Sequence, residues 1–98
     1  MKFSQALDAC REGKKISRAG WNGRKLGKVA FIVYQKGYPD GIAINKNTSE
    51  ALGIAEGTNC IFEPYLMLAV HAEEQPTYKC RPWTPDQRDQ LAEDWEVV

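Results

Sequence analysis

Residues 29–34 read Val-Ala-Phe-Ile-Val-Tyr, and five of these six side chains are β-branched or aromatic. Such a run packs well on a pleated, buried surface, so it is expected to form a buried strand. A buried strand needs a sheet around it, and the chain supplies further strand candidates. Residues 14–17 form a short extended stretch around Ile16. Residues 42–44 alternate weakly with their flanks and make a returning strand, after a polar loop over residues 35–41. Residues 60–71 are a long apolar stretch in which Pro64 places a break or an edge. Residues 77–81 return as a strand and make a hairpin with residues 66–70.

Helices fill the remaining segments. Ser4 reads as an N-cap, Phe3, Ala6, Leu7 and Cys10 share one helical face, and Gly13 stops the helix. Asn47 or Thr48 can cap a short helix that runs through Leu52 and ends at Gly53. The last helix has a capping box, with Thr84 at the N-cap, Pro85 at N1 and Gln87 at N3. Gln87, Leu91 and Trp95 then fall on one side. The fold class that follows is α+β: a small antiparallel sheet packed with N-terminal and C-terminal helices. The 98 residues are expected to make one domain.

Charge narrows the partners. The chain carries 13 basic and 13 acidic residues, for a net charge of zero. Long nucleic acid needs a strong basic excess, so no polynucleotide partner is expected. The balance is uneven: residues 1–49 sum to +7 and residues 50–98 to −7. The two halves can neutralise each other, or the basic half can face a small anion or an acidic surface of another subunit. Glu93, Asp94 and Glu96 crowd the far end of the expected last helix, where the dipole disfavours them. A basic partner from the N-terminal half is expected, Arg18 first. No apolar run approaches ~20 residues and residues 1–5 lack an apolar block, so no membrane is expected and the address is the cytoplasm.

Several chemistries have weak support. Cys10, Cys60 and Cys80 are too few and too far apart for a disulfide framework, and His71 is the only histidine. A zinc site would lack ligands, and a thiol nucleophile would depend on Cys60 or Cys80 meeting His71. The segment from Gly23 to Val29 resembles a phosphate loop but is one residue short between its glycines, and Val29 replaces the hydroxyl that magnesium needs. Asp86, Asp89, Glu93 and Asp94 can be drawn as acid/base carboxylates, although their spacing suits a solvated face. No cofactor is expected.

Two segments carry a more specific signal. Arg18-Ala19-Gly20-Trp21-Asn22-Gly23 puts an indole beside a tight turn with exposed N–H groups. Pro82-Trp83-Thr84-Pro85-Asp86-Gln87 puts a second indole at the start of a helix. A flat stacking face with fixed donors suits a purine and a phosphate. With the Glu-Gly-Lys-Lys that precedes the first segment and the Leu-Ala-x-Asp-Trp that follows the second, the chain resembles the small phage proteins of the second Thoeris anti-defence family. The match covers both ends, roughly 35 residues, and leaves residues 28–79 unmatched.

The resemblance implies a sponge. Family members sequester the signalling nucleotides made by bacterial immune enzymes, cyclic ADP-ribose variants carrying glycine and in some cases cyclic dinucleotides. They bind without cleaving, and they assemble as homo-oligomers, tetramers in known cases. By position, Trp21, Asn22, Trp83 and Thr84 belong to the pocket, and the protein acts in the cytoplasm of the infected bacterial host. One position departs: the family usually has serine where this chain has Asp86. A carboxylate there repels phosphate, so the diphosphate is expected against Asn22-Gly23 with Arg24 or Lys25 nearby. Asp86 is expected to accept from a ribose hydroxyl or an amino group. The rival readings are an enzyme acting on the same messenger through Asp86, Asp89 or Asp94, and a module that binds an immune effector.

Overall fold

Strand pairing follows the apolar runs. The computed structural model describes residues 1–21, 28–72 and 76–98. In chain order the elements are α1 (Phe3–Arg11), β1 (Ile16–Arg18), β2 (Lys28–Gln35), β3 (Tyr38–Ala43), α2 (Lys46–Leu52), β4 (Asn59–Phe62), β5 (Tyr65–Ala72), β6 (Tyr78–Pro82), α3 (Gln87–Leu91) and β7 (Trp95–Val97). The architecture is α+β, as the sequence implies. Five strands form an antiparallel sheet in the order β6-β5-β2-β1-β7, and β3 pairs with β4 in a separate two-stranded sheet. The chain divides into two compact units, Met1–Gln35 with Leu66–Val98, and Lys36–Tyr65.

In the larger unit β2 is the central strand, which is where a run with apolar residues on both faces belongs. Ile32 is opposite Ile16 of β1, and Ile16 is opposite Val97 of β7. On the other side the β5–β6 hairpin pairs Leu68 with Arg81 and Val70 with Lys79, and edge strand β6 ends on Pro82. Helix α1 packs on β1, β2 and β7. It buries Ala6 and Cys10 in one cluster with Ile16, Ile32, Leu68 and Trp95. Phe3, Tyr34, Leu66 and Val70 pack around this cluster.

Helix caps differ from the sequence expectation in all three cases. The N-cap of α1 is Lys2, not Ser4, and Gln5 Oε1 accepts from the Lys2 N–H at 3.0 Å. Trp95 N–H bonds to the Met1 carbonyl at 3.2 Å, which draws the preceding residue alongside β7 and lets the helix start early. The cap of α3 is Asp86, not Thr84. Asp86 Oδ1 accepts from the Asp89 N–H at 2.9 Å, and Asp89 Oδ2 accepts in return from the Asp86 N–H at 3.2 Å. Aspartate caps at least as well as threonine, so the box forms two residues later and Pro85 lies outside the helix.

The last helix is also shorter than expected. It stops at Leu91, Ala92 is extended, and Trp95 belongs to β7. Trp95-Glu96-Val97-Val98 is a β-prone segment, and pairing with β1 is worth more to it than continuing a helix. The acidic residues therefore do not sit on a helix terminus. The pairing expected for them does occur, because Arg18 binds Asp94.

The smaller unit has α2 between its two strands. The α2 cap is Asn45, upstream of the expected Asn47 or Thr48, and its side chain accepts from the Thr48 N–H at 3.0 Å. Gly53 ends the helix at φ 69°, as expected of a left-handed cap. The expected loop over residues 35–41 is shorter, because β3 begins at Tyr38 and pairs with Phe62. The register shifts between Tyr38 and Ile42, so an irregularity inside the strand absorbs Pro39-Asp40-Gly41. Ile44 is the one buried residue of this unit. Among the described residues no helix is long and apolar enough to cross a membrane.

Candidate functional site

A turn aims the first candidate indole. Trp21 N–H donates to the Arg18 carbonyl at 3.1 Å, and Gly20 between them has φ 89°. Positive φ at the third position of a turn requires glycine in practice. The Ala19 N–H donates to the Asp94 carbonyl at 3.0 Å, so the same turn is tied to the chain entering β7.

Trp21 stands in a cluster of four rings. Its centroid is 5.4 Å from that of Trp95 and 6.1 Å from that of Trp83, both in edge contacts. Phe3 completes the cluster at 5.3 Å from Trp95 and 6.4 Å from Trp83. Trp95 is its sealed centre: 2% exposed, with Nε1–H donating to the Asp89 carbonyl at 2.8 Å. Trp21 and Trp83 are both half-buried.

An open cleft of about 740 Å³ lies over Trp21. Arg18, Asp86, Arg88 and Asp89 line it with polar groups, and Leu91 and Ala92 with apolar ones. Arg18 Nε donates to Asp94 Oδ1 at 2.9 Å, and its Nη1 donates to Asp89 Oδ1 at 3.2 Å. Hydrogen bonding to Asp94 holds the guanidinium pKa above its ordinary value, and the Arg18 hydrogen bond holds the Asp94 carboxyl below the usual range. Asp86 is also held low, first by the Asp89 N–H and then by Arg88, whose Nη2 lies 3.3 Å from Asp86 Oδ2.

Of the residues expected in the pocket from sequence, Trp21 and Asp86 share this cleft, and Asp89 of the rival enzyme reading lines it too. Trp83 meets Trp21 in an edge contact and is not part of the described lining. Thr84 is exposed and outside that lining. Asn22, Gly23, Arg24 and Lys25 lie outside the described residues. Arg18 and Arg88 are cleft residues that the sequence did not mark as such. The signal for Arg88 and Asp89 was their place two and three residues after Asp86, in the first turn of α3, which is readable only once the true cap is known. Of the thiol candidates, Cys80 is exposed on β6, while His71 stacks on Tyr78 at 4.5 Å. Cys60 is half-buried on β4 of the smaller unit.

The arrangement offers one aromatic face, acceptors held in their ionised form and a braced guanidinium. Comparison with known proteins adds an independent finding. The model of the Thoeris anti-defense 2-like domain matches residues 1–98. The chain is also similar to the Thoeris anti-defense 2 protein of Bacillus phage SP01, at 30% identity over 98 residues, covering 100% of this chain and 94% of that protein.

Proposed function

Because the chain belongs to the Thoeris anti-defense 2-like family, we propose that it is a phage anti-defence protein that sequesters a cyclic ADP-ribose-type signalling nucleotide without cleaving it. The glycine-bearing cyclic ADP-ribose is the first ligand to try and a cyclic dinucleotide the second. Capture of the messenger in the cytoplasm of the infected host would leave the Thoeris effector inactive. Family membership supports the anti-defence role; the cleft over Trp21 is the observation that carries the rest.

Tight capture requires stacking and a few fixed polar groups in a partly enclosed space. Trp21 supplies the stacking face, and Asp86 supplies an acceptor for a ribose hydroxyl or an amino group. Two carboxylates and two guanidinium groups line the cleft, and Asp94 holds one of those guanidiniums from outside the lining, so it is a poor seat for a diphosphate. That charge falls to Arg24 or Lys25, which follow Trp21 in the chain beside Asn22 and Gly23. In this reading Trp83 supports the Trp21 indole by ring contact, and Thr84 contributes only if the ligand reaches beyond the cleft.

The carboxylates support binding over hydrolysis. A general acid needs a raised pKa to hold a proton near neutral pH. Asp86 and Asp94 are shifted the other way, each by the hydrogen bonds it accepts. Assembly as a homo-oligomer, a tetramer, belongs to the same proposal. Tyr38, Ile61 and Phe62 of the smaller unit are exposed, Ile61 at 66%, and association would cover such area.

Calorimetry with glycine-bearing cyclic ADP-ribose tests the reading. The wild-type protein binds it, Trp21→Ala does not, and mass spectrometry of the denatured complex returns the ligand intact. Release of cleavage products would establish an enzyme instead, and no heat with either messenger class would remove the sponge.

A further inference from the structure

Arg18 is doubly braced before any ligand arrives. Asp94 takes its Nε–H and Asp89 takes one Nη1–H, so a carboxylate of α3 and one just before β7 together fix the guanidinium plane. The Arg18 side chain is 26% exposed, lines the cleft beside Trp21, and its Nη2 donates to nothing among the described residues. A guanidinium has five N–H donors in a rigid fork. Three are therefore not taken by any described residue, in a plane set by the protein, beside Trp21 in the cleft.

The local charge decides what those donors can take. Arg18 contributes +1, while Asp89 and Asp94 contribute −2, so the braced group is net negative before Asp86 and Arg88 cancel each other nearby. A phosphate brought to the free N–H groups would meet both carboxylates at short range, partly shielded from water. An uncharged acceptor incurs no such repulsion and still gains a charge-assisted hydrogen bond.

We propose that Arg18 is a ligand-contacting, specificity-determining residue of the cleft, donating to a carbonyl oxygen or ring nitrogen of a planar heterocycle stacked on Trp21. Asp89 and Asp94 are its positioning residues. The inference rests on the cleft being the ligand site, and it assigns the heterocycle, not the phosphate, to this end of it. Lysine cannot replace arginine here, because an ammonium has no planar fork to be held by two carboxylates while a further donor points elsewhere.

The test separates this assignment from the sponge reading by using adenosine, which carries a heterocycle and no phosphate. Side-chain NMR of ¹⁵N-labelled wild-type protein is recorded with adenosine at millimolar concentration, and again with ribose 5-phosphate. Adenosine is expected to shift the Arg18 guanidinium and Trp21 indole N–H resonances together, and ribose 5-phosphate to leave the guanidinium unmoved. Arg18→Lys should weaken adenosine binding tenfold or more, with thermal unfolding run beside it. Asp94→Asn, which keeps Arg18 and loosens one brace, should weaken it several-fold. Unmoved Arg18 resonances with adenosine, an equal response to ribose 5-phosphate, or wild-type affinity in a folded Arg18→Lys protein would each overturn the assignment. Failure to bind cyclic ADP-ribose in the calorimetry above would remove the sponge and leave the adenosine result standing.

Discussion

Trp21 meets Trp95 edge to face, with ring centroids 5.4 Å apart at an interplanar angle of 73°. One of the pair is sealed in the core and the other lines the cleft, so their removal should have different consequences. Trp95→Ala empties the centre of the aromatic cluster and strands the Asp89 carbonyl, and a loss of about 3–5 kcal/mol is expected. Trp21→Ala gives up two edge contacts worth about 0.5–1.5 kcal/mol each beyond area burial, and should leave a folded protein. Urea unfolding of the two variants checks the order; a Trp21→Ala protein less stable than Trp95→Ala would contradict it.

Acid should loosen the brace around Arg18. The carboxyls of Asp94 and Asp86 have lowered pKa values in the folded chain, through hydrogen bonds from Arg18 and from the Asp89 N–H respectively. Below the ordinary carboxylate range the unfolded chain takes up protons first, so it binds more of them than the folded chain. Stability from these groups is thus complete well above about pH 4 and is lost as pH falls through the lowered native values. Thermal unfolding between pH 7 and pH 2 should show this decline, and Asp94→Asn should flatten it. An unchanged acid slope in that variant would detach Asp94 from the effect.

What the sequence revealed, and what it hid, has a physical pattern. The run around Ile32 was legible as a buried strand because five β-prone side chains among six leave little else, while its central place in the sheet was not read from sequence. The Arg18–Asp94 pair was legible from charge, even though the helix end that motivated it does not exist. The caps were not legible, because Ser4, Thr84 and Asn47 are all competent caps and the choice among neighbours is made by tertiary contacts. Trp95 shows why the last helix was overextended: its spacing from Leu91 suits a helix, yet β1 offers it a strand partner 77 residues away in the pair with Arg18. For the site, Trp21 and Asp86 were separately visible, but their common cleft depends on Arg18 of β1 reaching Asp89 of α3.

Gly20 should be less replaceable than its surroundings suggest. A Cβ placed there would meet nothing within 4 Å, so crowding is not the constraint. The constraint is its φ of 89°, which an L-residue reaches only at a cost of about 1–2 kcal/mol. Gly20→Ala should therefore lower stability by that order and also turn the Trp21 indole, because the turn is closed by the Trp21 N–H. Ligand affinity is expected to fall more than stability does. Paired calorimetry and denaturation would show it, and a variant with native affinity would mean that the turn does not aim Trp21.

The three thiols should label in an order set by packing. Cys80 is exposed on edge strand β6, Cys60 is half-buried on β4, and Cys10 of α1 is fully buried, with its Sγ 3.8 Å from the Ile32 carbonyl of β2. Burial also pushes the Cys10 pKa up, which removes the reactive thiolate at neutral pH. A disulfide reagent at pH 7.5 is therefore expected to take Cys80 first, Cys60 more slowly, and Cys10 only when α1 leaves the sheet. Cys80→Ser should abolish the fast phase, and added urea should speed the Cys10 phase in step with global unfolding. If Cys10 reacts as fast as Cys80 in the native protein, α1 does not hold the place on β2 that Ala6, Cys10 and Ile32 give it.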